Sequence, residues 1–79
     1  MNPILCGTYQ EYKYLMHHMG IPMPTAKNIY PYVVDFQRLM GLARHTTVFR
    51  YGTWSKREDL QDIVKQCMER AFNFIDLGG

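Results

Sequence analysis

The sequence predicts a small α+β fold, mainly helical, with three amphipathic helices around one short β element. Three observations carry this reading. Apolar residues recur at three- and four-residue steps in three segments, the signature of a helix with one buried stripe. Thr8/Glu11 and Ser55/Glu58 have the spacing of capping boxes, and Gly20 and Gly41 stand where helices stop. Thr46 to Tyr51 is nearly all β-forming residues. At 79 residues the chain reads as one domain, near the size at which a core barely sustains itself. That leaves room for a second copy to complete it as a homo-oligomer.

Taken in order, residues 3–6 are short and apolar and suit an edge strand or an extended lead-in. The first helix is expected at about 8–19, with Tyr9, Tyr12, Leu15, Met16 and Met19 on its apolar face. Residues 21–30 contain Pro22 and Pro24 and read as a loop. Pro31 suits the first turn of a second helix, at about 31–40. Tyr32, Val33, Phe36, Leu39 and Met40 form its stripe, and Val34 falls on the polar side. A strand is expected at about 46–51, pairing with residues 3–6 or with the same strand of a second chain. The third helix, at about 55–75, has the longest stripe, from Leu60 through Ile63, Cys67 and Ala71 to Ile75. It should supply about half the core.

Charge and cysteine content narrow the function classes. Between Phe36 and Arg57 there is no acid, whereas Arg38, Arg44, Arg50, Lys56 and Arg57 are all cationic. Two cysteines without a CxxC spacing suit reduced thiols rather than a disulfide framework. No apolar run is long enough to span a bilayer, and the first residues lack the pattern of a signal peptide. A cytoplasmic protein with no membrane partner is expected.

No pattern points to catalysis. Nearly all seven carboxylates fall on expected exposed helix faces or caps, and no pair of them suggests the pocket a general acid or base needs. Cys67 lies in a core stripe, out of reach of a substrate. The histidines and cysteines lack ligand spacing, because His17 and His18 diverge by about 100° on a helix. Neither a metal nor a cofactor is expected. The reading is therefore a non-enzymatic binding protein, a regulator or inhibitor acting on a larger protein complex. Its size suits an accessory protein of a phage or mobile element. Tyr14, His17 and His18 on the exposed side of the first helix, with Val34, are the expected protein-binding residues.

A second reading concerns nucleic acid. Within residues 36–51, the run Leu39-Met40-Gly41-Leu42-Ala43-Arg44-His45-Thr46-Thr47-Val48-Phe49-Arg50-Tyr51 resembles the turn and recognition helix of helix-turn-helix DNA-binding proteins. The resemblance implies that Arg44, His45, Thr46 and Arg50 face the major groove. The wider basic segment 38–57 adds Lys56 and Arg57 as phosphate-binding residues, with Tyr51 and Trp54 placed to stack on bases.

Overall fold

The structure is a computed structural model that describes residues 1–79. Its centre is a three-stranded parallel sheet in the order β1-β2-β3, formed by Ile4–Cys6 (β1), Thr47–Tyr51 (β2) and Asn73–Asp76 (β3). The helices are α1 (Tyr9–His18), α2 (Met23–Ile29) and α3 (Leu60–Arg70), with short 3-10 helices at Phe36–Leu39 and Trp54–Lys56. The fold is α+β with a full parallel sheet, which corrects the expectation of a mainly helical chain carrying one or two strands.

β1 pairs with β2 in the register Ile4↔Phe49, Leu5↔Arg50 and Cys6↔Tyr51. β2 pairs with β3 in the register Thr47↔Asn73 to Arg50↔Asp76. On the outer side of β1 the chain adds a single parallel bridge, Ile4↔Tyr32. There the Ile4 N–H donates to the Pro31 carbonyl and the Val33 N–H to the Ile4 carbonyl. In space the order is therefore the Tyr32 segment, β1, β2, β3. Successive side chains of a strand alternate between faces. Ile4 and Cys6 pack with Tyr12, Leu15, Met16 and Ala26 of α1 and α2. Leu5 and Val48 pack on the other face with Leu39, Ile63, Cys67 and Phe72. Burial on both faces explains why all of β1 is apolar. The connections run as in doubly wound sheets, with helices on both faces and a switch point between β1 and β2.

α1 forms where expected: Thr8 and Glu11 make the capping box, and Gly20 follows in the left-handed region at φ 72°. The strand expected at 46–51 is β2, and its partner is the segment 3–6. The other helix boundaries need correction. Residues 31–40 are not an α-helix. Pro31 to Val33 run extended beside β1, and the Asp35 side chain then caps a 3-10 turn by accepting from the Gln37 N–H. The β-branched pair Val33-Val34 favours extended backbone, and the unpaired outer edge of β1 rewards it. The expected loop at 21–30 holds α2, because Pro24 falls at its first turn and costs no hydrogen bond there.

The third helix is shorter at both ends than the stripe predicted. The Ser55/Glu58 capping box does not form. Ser55 lies in a 3-10 turn, and the Asp59 side chain makes no cap bond at the start of α3. At the other end Ala71 takes a left-handed conformation, φ 52°, and the chain turns into β3. Of the expected stripe only Ile63 and Cys67 are buried on α3, so the sheet, not this helix, supplies most of the core. Phe74 and Ile75 satisfy helical spacing and strand preference alike, and the open flank of β2 decides in favour of the strand.

Candidate functional site

In doubly wound sheets ligands enter at the carboxyl ends of the strands, beside the switch point. Here two glycines shape that place. A Cβ on Gly7 would lie 2.6 Å from the Thr53 carbonyl oxygen, and one on Gly52, at φ 65°, would lie 2.6 Å from Glu11 Cδ. The space beside Gly7 is taken by the Thr53 hydroxyl and carbonyl, and that beside Gly52 by the Glu11 carboxylate. It accepts from the Gly7 N–H at 2.8 Å, from the Thr8 N–H at 3.2 Å, and from the Thr53 N–H and Oγ1 at 3.1 Å. Burial alone would raise this carboxyl, but the donors from Thr53, Gly7 and Thr8 together hold it below its ordinary value.

Beside it lies Arg57, whose side chain is only 6% exposed. Its guanidinium donates to the carbonyls of Cys6 (2.9 Å), Val33 and Val34 (2.8 Å for Val34) and pairs with Asp59 at 3.0 Å. The hydrogen bond from Arg57 is the main reason the Asp59 carboxyl sits below its usual value, outweighing burial. Asp59 Oδ2 also accepts from the Phe36 N–H. The chain's own Glu11 carboxylate and Arg57 guanidinium thus occupy the switch point, beside a hollow of about 360 Å³ lined by Gly7, Tyr32, Val34, Arg57, Glu58 and Asp59. Both groups are satisfied by backbone partners and tie loops together.

The adjacent groove is open. It holds about 530 Å³ and is lined by Tyr9, Tyr12, Lys27, Pro31, Tyr32, Val34 and Arg38. Its floor is three mutually packed tyrosines, with ring centroids 5.8 Å apart for Tyr9–Tyr12 and 5.4 Å apart for both Tyr9–Tyr32 and Tyr12–Tyr32. The Tyr12 hydroxyl is used internally and donates to the Tyr30 carbonyl at 2.7 Å. Tyr9 and Val34 keep 43% and 55% of their surface exposed. The two cations of the lining, Lys27 and Arg38, face no acid within it, and Lys13 sits above the Tyr9 ring at 5.9 Å.

The expected site residues separate into several places. Val34 lies on the tyrosine groove. Tyr14, 64% exposed, stacks on His18 with centroids 6.0 Å apart, on a different side of α1. Tyr14 borders a shallower hollow with Gln10, Glu11, Tyr51, Gly52 and Gly79, and His17 borders another with Lys13, Ile21, Pro22 and Met23. The four residues do not form one surface.

The nucleic-acid set is also dispersed. Residues 36–51 hold a 3-10 turn, an irregular turn and β2, so the recognition helix implied by the helix-turn-helix resemblance is not there. His45 is a turn residue at φ 66° whose carbonyl accepts from Asn73 Nδ2. Thr46 Oγ1 donates to the Ala43 carbonyl, and Arg44 donates to the Glu69 carbonyl at 3.2 Å. Arg50 is held between the Trp54 and Phe74 rings, 4.6 and 5.0 Å from their centroids, and lies 3.8 Å from Asp76. Arg57 is internal, whereas Lys56, on a 3-10 turn, is exposed, as is His45.

Tyr9, Tyr12 and Tyr32 were missed as site residues because helical spacing placed all three on core stripes. The signal that could have found Tyr32 is Pro31 followed by consecutive β-formers, which reads as a strand as readily as a helix start. Both cysteines are buried. Burial pushes the Cys6 thiol up to about 12, the charge of Glu11 adding to it, and the Cys67 thiol up to about 11. No group of three or more metal-ligating side chains converges, and no helix is long and apolar enough to cross a membrane. Comparison with protein-family models, with curated proteins and with solved structures finds no match to this chain.

Proposed function

We propose that this chain is a non-enzymatic binding protein that seats an acidic, apolar segment of a larger protein in its tyrosine groove. The observation that carries the reading is the groove itself: a tyrosine floor beside exposed Val34, rimmed by Lys27 and Arg38, with no acid in its lining. Tyrosines bury large area at small entropic cost and are enriched at interface centres. The cations favour a partner segment of opposite sign and speed its approach. Aromatic-lined grooves of this kind suit extended peptides. The groups that could do chemistry are otherwise engaged: Glu11 and Asp59 in loop ties, both thiols in the core. Action by occupying a surface fits a regulator or inhibitor of a protein complex.

The test is capture of partners on the tagged protein with and without nuclease, comparing wild type with Val34→Glu and with Lys27→Glu/Arg38→Glu. A protein retained after nuclease by the wild type, and lost by both variants, is the expected result. Retention by both variants, or loss of every partner on nuclease treatment, would overturn the reading. The second outcome would make the tyrosines a stacking platform for nucleic acid bases.

A further inference from the structure

The two edges of the sheet are treated differently. The outer edge of β1 is closed by the Pro31–Val33 segment. The outer edge of β3 is not closed; β3 packs chiefly on β2. The N–H groups of Asn73 and Leu77 donate to the carbonyls of Thr46 and Arg50. In a parallel ladder this alternation turns the backbone N–H and C=O of Phe74 and Asp76 away from β2. They form a row of two donors and two acceptors along an uncovered strand. That edge is short but carries no proline, no lysine and no bulge, and its one charge, Asp76, already faces Arg50 at 3.8 Å. Its side chains include exposed apolar residues, Ile75 (46%) and Leu77 (39%).

We infer that β3 pairs antiparallel with β3 of a second copy about a two-fold axis through Ile75. The occupant follows from the pattern of unpaired atoms. An extended backbone is required, and a second copy presents the same row of donors and acceptors, which is self-complementary about Ile75. The outward residues stand symmetrically on either side of Ile75. Phe74 of one copy then exchanges both hydrogen bonds with Asp76 of the other, and the reverse pair does the same. Ile75 meets its own counterpart at a position that makes no hydrogen bonds across the axis, and Asn73 lies opposite Leu77. The interface is isologous and closes after two copies, joining two three-stranded sheets into one. It leaves the tyrosine groove free and does not depend on the function proposed for it.

The geometry gives a direct test. Facing residues at a non-hydrogen-bonded antiparallel position have Cα atoms about 4.5 Å apart, within the range a disulfide spans. Ile75→Cys should form a disulfide-linked dimer on mild oxidation, with Cys6 and Cys67 silent because both are buried. Val64→Cys, on the exposed side of α3, is the control and should not. The wild type should sediment as a dimer at roughly 100 µM. Ile75→Lys places two like charges on the axis and should sediment as a monomer with an unchanged circular dichroism spectrum. A wild-type monomer at that concentration, or cross-linking of Ile75→Cys no better than that of Val64→Cys, would overturn the proposal.

Discussion

Tyr32 and Val34 form a wall shared by two hollows of opposite character. On one side lies the switch-point crevice, where Arg57 and Asp59 are locked to the backbone of Cys6 and of residues 33–36, with Glu11 tying the neighbouring loops. On the other lies the groove lined by Tyr9 and Tyr32 over buried Tyr12, where Tyr9 and Val34 stay exposed. The comparison separates two uses of polar and aromatic side chains. Where a sheet of this winding leaves unpaired backbone carbonyls and N–H groups at its carboxyl end, this chain supplies both ions from within. The crevice becomes a structural joint, and the open apolar surface lies one step outward, on the flank of the added Tyr32 segment.

The sharpest way to break the comparison is Arg57→Ala. It strands the carbonyls of Cys6, Val33 and Val34 and leaves Asp59 only the Phe36 N–H. Loss of one partner of a buried pair costs about 3–5 kcal/mol, and the lower figure is expected here because the Asp59 side chain is 23% exposed. For a chain of this size that is most of the stability, so urea denaturation should find little folded protein at 25 °C. Arg57→Lys should recover only part, because an ammonium cannot reproduce the guanidinium fork. Next is Glu11→Gln, which puts an amide where four donors converge and should lower stability by about 1–3 kcal/mol in the same measurement.

The pH dependence follows from the same two carboxylates. Glu11 and Asp59 both titrate lower in the folded chain than their ordinary values of 4.5 and 3.8. The unfolded state therefore binds more protons in this range. Their contribution is fully present above those ordinary values and is lost as pH falls through the depressed folded ones. A series of thermal melts from neutral to strongly acidic pH should show a fall below about pH 4.5, flatter in Glu11→Gln. On the groove side, Val34→Glu should move stability by no more than about 0.5 kcal/mol while abolishing partner capture. The smallest effect is expected from Tyr14→Ala, whose exposed stack on His18 should cost less than about 0.5 kcal/mol in chemical denaturation.

The local part of the fold was legible and the long-range part was not. α1 could be read because its capping box, its apolar spacing and its glycine stop agree. β2 could be read in part: Thr-Val-Phe-Arg-Tyr is β-forming, although the same run also resembles a recognition helix. β3 could not, because Asn73 to Ile75 fits a helix stripe as well as a strand, and the choice is made by a ladder to residues far away in sequence. The turn of Ala71 into the left-handed region carries no sequence mark such as glycine. The Pro31 segment failed for a similar reason: its hydrogen bonds go to β1, not to its neighbours. For the candidate site, exposure of Val34 was legible from its place off the stripe, and that of Tyr14 from its place on α1. Arg57 was read as a surface cation because nothing local shows that three carbonyls from distant segments converge on it.

The parallel pairing has a kinetic consequence. Every strand pair joins distant residues, Ile4 with Phe49 and Val48 with Phe74, so no hairpin can start the sheet. Loop closure comes before any ladder bond is gained, which slows folding relative to helical chains of equal length. On the ribosome β1 is made before β2, and until β2 follows, its apolar residues have only the bridge to the Pro31–Val33 segment. The brevity of β1, three residues, limits how well that strand can template aggregation.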